Sequence, residues 1–366
     1  MPFKQIAVSL LTLAATWQLS TPSFAADQSV PPGVELQGAN TYAFRVGDIR
    51  ITALSDGTVP QDLHQLLRDT TNQKTDALLE KGFLANPVEA SINVFMFKLG
   101  DRLFLVDTGS GDLFPAGFGG KLLQSLAAAG VRPEQVTDIL LTHAHDDHMG
   151  GLIHNGALAF PNATVHVDKA DVEFFQDRSN AAKAHYGMNY FDDYAASLKH
   201  YVDAGKVQTF EGTTVLVPGI TATVHPGHTP GSAFYTVESQ GQRIIFVGDI
   251  IHVGAVQFPE PTITITYDVD TKRAAQVRRA AFSAFAHDGT LIAIPHIPFP
   301  GVGHIRTAGT GYEWAPIVYG NRDITKRWQG VSVHCKERRS AAGARATSFQ
   351  LPSTRTTRWW GGPRRL

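Results

Sequence analysis

At 366 residues and 43% apolar, the chain can bury one large core or two, and a net charge of −1 with a pI near 7.0 gives no general case for a nucleic-acid or anionic-membrane partner. The single cysteine, Cys335, excludes an internal disulfide and any cysteine-rich zinc site. The neutral total hides an asymmetry, because residues 321–366 carry 11 Lys and Arg against 2 Asp and Glu.

Residues 1–25 read as an export signal. Lys4 precedes a short apolar stretch, Ile6 to Trp17, and Ser23-Phe24-Ala25 places small residues around a cleavage point near Ala25. The stretch is too short for a permanent membrane span. Sec-type export to the periplasm or beyond is the expectation, with residues 26–320 as the working domain.

After Pro31-Pro32 the pattern turns to strands, Tyr42 to Val46 and Ile49 to Leu54, broken at Ser55-Asp56-Gly57. Residues 60–90 are polar with helical spacing and suggest a flexible or lid-like region. Ile92 to Leu99 and Leu103 to Val106 follow, joined by the hairpin pair Gly100-Asp101. The spacing predicts a helix over 119–129, stopped at Gly130. Further strands are predicted at Thr164 to Val167, Thr214 to Val217, Thr221 to Val224, Ala233 to Val237, Arg243 to Val247 and Leu291 to Ile294. Helices are predicted at Lys169 to Gln176, Asp192 to Val202 and Lys272 to Ala286. Strand blocks interspersed with helices predict an α/β protein with two helix-covered sheets, a four-layer αβ/βα sandwich.

Five apolar runs end in a metal-type residue: Phe104-Leu105-Val106 at Asp107, Ile139-Leu140-Leu141-Thr142 at His143, Thr223-Val224-His225-Pro226-Gly227 at His228, Ile245-Phe246-Val247-Gly248 at Asp249, and Ile292-Ala293-Ile294-Pro295 at His296. The block His143-Ala144-His145-Asp146-Asp147-His148 packs three histidines and two aspartates together. Imidazole and carboxylate are ligands suited to zinc and related divalent ions. In an extended chain His143 and His145 point the same way and can grip one ion, while Asp147 and His148 face a neighbouring position. Ligands gather at strand ends in layered α/β folds, so all seven candidates, His143, His145, Asp147, His148, His228, Asp249 and His296, are expected to converge. Gly150-Gly151 is expected to let the backbone pass close to them.

These residues in this order resemble the metallo-β-lactamase-fold hydrolases. Ile51 to Thr58, Val106-Asp107-Thr108-Gly109, Val237 to Gln242, Ala255 to Phe258 and Phe299 to Arg306 resemble the methyl parathion hydrolase branch of that family. The resemblance covers roughly residues 40–320. Asp146 departs from it, since that branch carries proline there, and an N-cap role suits it better than a metal role. The resemblance implies that His143, His145 and His228 hold one divalent ion, Asp147, His148 and His296 a second, with Asp249 bridging. Zinc suits the ligands, though Mn, Co, Cd or Fe would fit the same set. Asp107 is implied to orient a ligating histidine.

The implied chemistry is hydrolysis by an activated bridging water, with Asp147 and Asp249 as the catalytic carboxylates. The expected substrate is an uncharged organophosphate triester with an aryl leaving group. Lactones, including acyl-homoserine lactones, or aryl esters are the alternative. Phe114, Phe175, Tyr190 and Phe191 fall where related enzymes place an aromatic leaving-group pocket. A homodimer without nucleic-acid partner or membrane span is implied. Glyoxalase II-type, β-lactamase and flavodiiron activities fit less well: a basic glutathione pocket, a cysteine ligand at position 249 and an acidic residue at 145 are each missing. A non-catalytic metal-binding module is the plainest alternative. His64, His154, His166, His185, His200, His225, His252 and His304 read as structural or surface groups, with His225, His252 and His304 candidates for supporting a ligand. Residues 321–366 lack a core pattern and read as a disordered basic tail or an artefactual extension.

Overall fold

The computed structural model describes residues 39–184 and 186–320, which belong to one compact unit. The export signal, its cleavage point, Cys335, His185 and the basic tail lie outside these residues.

Two seven-stranded sheets face one another. The first runs, in spatial order, Thr41–Val46, Ile49–Gln61, Val88–Leu99, Arg102–Val106, Asp138–Leu140, Thr164–Asp168 and Val207–Phe210. Its first four strands pair antiparallel and its last three join in parallel. The second runs Thr213–Val217, Ile220–Val224, Ala233–Ser239, Gln242–Phe246, Leu291–Ala293, Val302–Ala308 and Gly311–Pro316. Only Gln242–Phe246 and Leu291–Ala293 pair in parallel.

Between the sheets lies a core of strand side chains in which Phe246 packs against Phe95 and Phe97. Both faces of Val88–Leu99 are covered, so Ala90 to Phe97 is buried without interruption, and Val94 to Phe97 are apolar without alternation. Helices Leu122–Ala128, Lys169–Gln176, Met188–Ala196 and Leu198–Asp203 contribute to a second core with the first sheet. The long helix Thr271–Asp288 packs Phe282 and Phe285 into a third, against the second sheet. This is the helix-covered two-sheet sandwich that the alternation of elements predicted.

Several boundaries differ from the sequence reading. The stretch 60–90 is built of regular elements. It continues the strand to Gln61 and then forms helices Leu63–Leu66 and Asn72–Lys81, the second capped by Thr71 Oγ1 accepting from Lys74 N at 3.2 Å. The helix expected over 192–202 is two helices, because Ser197 takes a non-helical backbone (φ −127°, ψ −92°) and its hydroxyl bonds to the Met149 carbonyl. The hairpin 302–316 and the strand Val207–Phe210 were not anticipated. Among the described residues, no helix is long and apolar enough to cross a membrane.

Candidate metal centre

Parallel strands leave their ends on one edge of a sheet, and the site is assembled there. Asp138–Leu140 lies between Arg102–Val106 and Thr164–Asp168, so the chain emerges at Thr142 and His143 beside Asp107. In the facing sheet, the segments after Ile220–Val224, Gln242–Phe246 and Leu291–Ala293 carry His228, Asp249 and His296 to the same edge. A short helix, Asp146–Met149, turns His148 back toward the strand ends. Gly150 and Gly151 do permit a close approach, but to a different partner. A Cβ there would sit 2.1 Å from the Ser110 carbonyl oxygen and 2.0 Å from that of Thr108, so the glycines press on the 108–110 loop.

All seven predicted residues come together. His143 Nε2, His145 Nδ1 and His228 Nε2 form a triangle with edges of 3.1, 3.2 and 3.0 Å. A ring N–H points one way only, so hydrogen bonds cannot satisfy three mutually facing nitrogens. The edges instead approach the roughly 3.3 Å expected between ligands on a tetrahedral zinc ion. Asp249 Oδ2 lies 3.8 Å from His143 and 3.5 Å from His228. On the other side Asp147, His148 and His296 form a second group. Asp147 lies 3.5 Å from His148 Nε2 and 3.4 Å from His296 Nε2, and Asp249 lies 3.1 and 3.0 Å from the same two atoms. His148 Nε2 and Asp249 Oδ1 are buried without an aligned hydrogen bond.

The outer nitrogens explain why the inner ones are free. His143 Nδ1 meets Thr142 Oγ1 at 3.1 Å, and that hydroxyl donates to Asp107. His145 Nε2 faces the Tyr186 hydroxyl at 2.6 Å, which donates to the Tyr267 carbonyl. His148 Nδ1 donates to Asp107 at 2.8 Å, His228 Nδ1 to Asp268 at 2.9 Å and His296 Nδ1 to the Ser91 carbonyl at 2.8 Å. Assigned from this network, each of the five rings places N–H outward and the remaining nitrogen inward. The donor set fits one or two divalent cations.

Electrostatics separates the two groups. Burial, then the neighbouring histidines, pushes His143 and His145 well below the usual imidazole range, leaving them neutral. Burial acts the same way on His148 and His296. There the Asp249 and Asp147 carboxylates outweigh it, raising His148 well above its ordinary value and His296 to about 9. Without a cation, protons balance the carboxylates at this second group.

Sequence reasoning anticipated Asp107 but not Asp268, Tyr186 or Ser91, which no local pattern marks. It also gave His252 at most a supporting part. The structure sets His252 within a third potential ligand group with Asp249 and His296, its Nε2 3.1 Å from Asp249 and both its nitrogens without a hydrogen bond. His225 instead stacks on Phe234, and His304 bonds to the Gly289 and Thr290 carbonyls, so neither supports a ligand.

A cleft of about 260 Å³ opens onto the centre, walled by Pro60, Phe114, Tyr190 and Tyr267 beside His145, Asp147, Asp249, His252 and His296. Among the described residues, no lysine or arginine lines it. Phe114 and Tyr190 thus reach the cleft, whereas Phe175 and Phe191 do not. Both are 1% exposed and pack against each other in the core, Phe175 meeting the His145 ring edge-on at 5.9 Å. Their helices turn them inward. Asp146 is the first residue of its helix and not the N-cap, a position held by His145; its carboxylate accepts from Asp147 N at 3.0 Å. Burial and then the Asp147 and Asp193 charges push Asp146 up to about 7. A second groove of about 730 Å³ shares His252 and His296 with the cleft and is walled by Phe83, Leu84, Val253, Phe258, Ile297 and Trp314.

Comparison with known proteins points the same way. The model of the metallo-beta-lactamase superfamily matches residues 88–296. An N-acyl homoserine lactonase of Bacillus cereus is 26% identical over 127 residues, 35% of this chain and 43% of that protein. A second, from Bacillus sp, is 28% identical over 120 residues, 33% of this chain and 40% of its own. The chain therefore spans about two-fifths of the length of these curated relatives. Among solved structures, the hydrolase AbOPH of the beta lactamase superfamily superposes with a TM-score of 0.72 at 36% identity, over 78% of this chain and 100% of that one. AidC, a dizinc quorum-quenching lactonase solved with its product N-hexanoyl-L-homoserine, gives 0.70 at 26% identity, over 77% and 99%.

Proposed function

The chain belongs to the metallo-β-lactamase superfamily, and from that premise we propose that this metal-dependent hydrolase opens uncharged esters, lactones first among them. The observation that carries the reading is the cleft: a ligand-rich floor, aromatic walls and, among the described residues, no lysine or arginine to hold an anionic substrate. The lactonase relatives support the choice of lactones.

His143, His145, His228 and Asp249 would hold one ion, and Asp147, His148 and His296 the second, with Asp249 in reach of both groups. Bound divalent ions would supply Lewis-acid polarisation and lower the pKa of water. The chain's own groups do the rest. Asp147, partly exposed in the cleft, is placed to accept the proton of the attacking water. His252, which lines the cleft beside Asp249, is in reach to donate a ring N–H hydrogen bond to the oxygen on which charge develops. Phe114, Tyr190 and Tyr267 orient the group that departs. Water adds to the acyl carbon, the ring C–O bond breaks, the proton taken up by Asp147 passes to the departing alkoxide oxygen, and a hydroxy acid results.

A second reading, phosphotriesters with an aryl leaving group, is favoured by those three aromatic rings. The test is turnover by the zinc-loaded chain of an acyl-homoserine lactone beside methyl parathion, paraoxon and an aryl ester, with a chelator control. Faster chelator-sensitive lactone opening supports the first reading. Faster triester cleavage replaces it with the second, and turnover that survives the chelator refutes both.

A further inference from the structure

Asp171, the third residue of helix Lys169–Gln176, has no exposed surface, and among the described residues its hydrogen bonds go to none of the candidate ligand side chains. Its carboxylate instead joins the two loops that carry the three-histidine group. Oδ2 accepts from Ala144 N at 2.9 Å and from Thr229 Oγ1 at 2.9 Å, while Oδ1 accepts from Gly231 N at 2.6 Å. Ala144 lies between His143 and His145, and Thr229 follows His228 directly. One buried anion thus spans the gap between segments 85 residues apart, whose imidazoles must meet to within a few tenths of an ångström.

The contact is built for closeness. A Cβ at Gly231 would lie 2.8 Å from Asp171 N and 2.8 Å from Asp168 Oδ1, so only glycine lets this loop press on the helix start. Thr229 is held in turn, its hydroxyl 2.8 Å from Ser232 Oγ and its N–H donating to the same oxygen at 2.9 Å. Nothing equivalent ties Asp171 to the second group, where Asp107 holds His148 and the Ser91 carbonyl holds His296.

We propose that Asp171 is a positioning residue that fixes His143 and His145 against His228, and so sets the divalent-ion affinity of that group independently of the Asp147–His148–His296 group. The inference rests on the reading that these clusters hold metal. In the Asp171→Asn variant an amide NH₂ must confront at least one of the three donors. In Thr229→Val one arm is removed without change of shape.

The test titrates zinc into the metal-free full chain against a competing chelator, and follows the ligand field of the cobalt-substituted chain. The wild type should show two binding constants. Asp171→Asn should weaken one of them by about 10- to 100-fold and shift the cobalt spectrum, leaving the other within about threefold. Thr229→Val should weaken the same constant by less, and Thr229→Ser should restore it. Should Asp171→Asn not fold, the Val and Ser pair decides alone. Equal loss of both constants, no loss of either, or identical behaviour of Val and Ser at 229 overturns the proposal. A wild-type chain that binds no zinc refutes the metal reading instead.

Discussion

Two buried clusters of histidine and aspartate sit in this molecule, and they balance their charge differently. In one, Asp138 accepts from His166 Nε2 at 2.8 Å, from Thr137 Oγ1 at 2.8 Å and from the Arg102 guanidinium, which caps the cluster at the end of its strand. Burial alone would raise the Asp138 pKa; the bonds from His166 and Arg102 outweigh it and hold the carboxylate at about 2. In the other, Asp249 is surrounded by His143, His148, His228, His252 and His296. The comparison teaches what a metal site lacks. Where the chain supplies its own cation, the cluster braces a sheet. Where imidazole nitrogens converge on a carboxylate and, among the described residues, no arginine or lysine lines the cleft, the group is suited to a cation from outside.

The contrast can be broken most severely at its centre. Asp249→Ala removes the carboxylate in reach of both ligand groups, and kcat/KM should fall on the order of 10³-fold with loss of bound metal, checked by turnover and by metal content. Asp268→Asn leaves every ligand in place but exchanges the acceptor that orients His228. Metal affinity should drop about 10- to 100-fold by chelator competition, whereas Asp138→Asn should leave it unchanged.

Asp138→Asn should act on the other side of the comparison. With a folded pKa near 2 against an ordinary 3.8, the carboxylate contributes about 2 kcal/mol that is fully present above pH 4 and lost as pH falls through 2. Urea unfolding of metal-free chains at pH 7 should show that deficit, and it should shrink in acid. A deficit that depends on zinc would erase the distinction between the clusters. The smallest effect is a proton count. Because His296 is held at about 9, and His148 is raised in the same way, zinc loading at pH 7 should release roughly one to two protons. The His296 share of the release should fade as pH passes 9, measured by calorimetry in buffers of different ionisation enthalpy.

The ligand block was legible because its chemistry is local. His143 and His145 alternate on an extended chain, and apolar runs ending in His or Asp mark strand ends without knowledge of their partners. The layered fold was legible in the interspersion of strand blocks with helices. Ser197 was not legible, because its helix-breaking backbone comes with a hydrogen bond to Met149, 48 positions away. The aromatic residues divide along the same line. The family resemblance grouped Phe114, Phe175, Tyr190 and Phe191, and only the rotation of two helices decided that Phe175 and Phe191 fill the core while Phe114 and Tyr190 face the cleft.

What the sequence determined by itself, then, is the supply of ligands and the strands that end in them, because residue type and period-two spacing are properties of a short stretch. Tertiary structure alone decided which nitrogen of each imidazole faces inward. Tyr186 lies 41 positions from His145, Asp268 lies 40 from His228, and Asp171 lies 58 from Thr229. Hydrogen bonds of that span form only where the folded chain brings their atoms within 3 Å, and no local pattern records them.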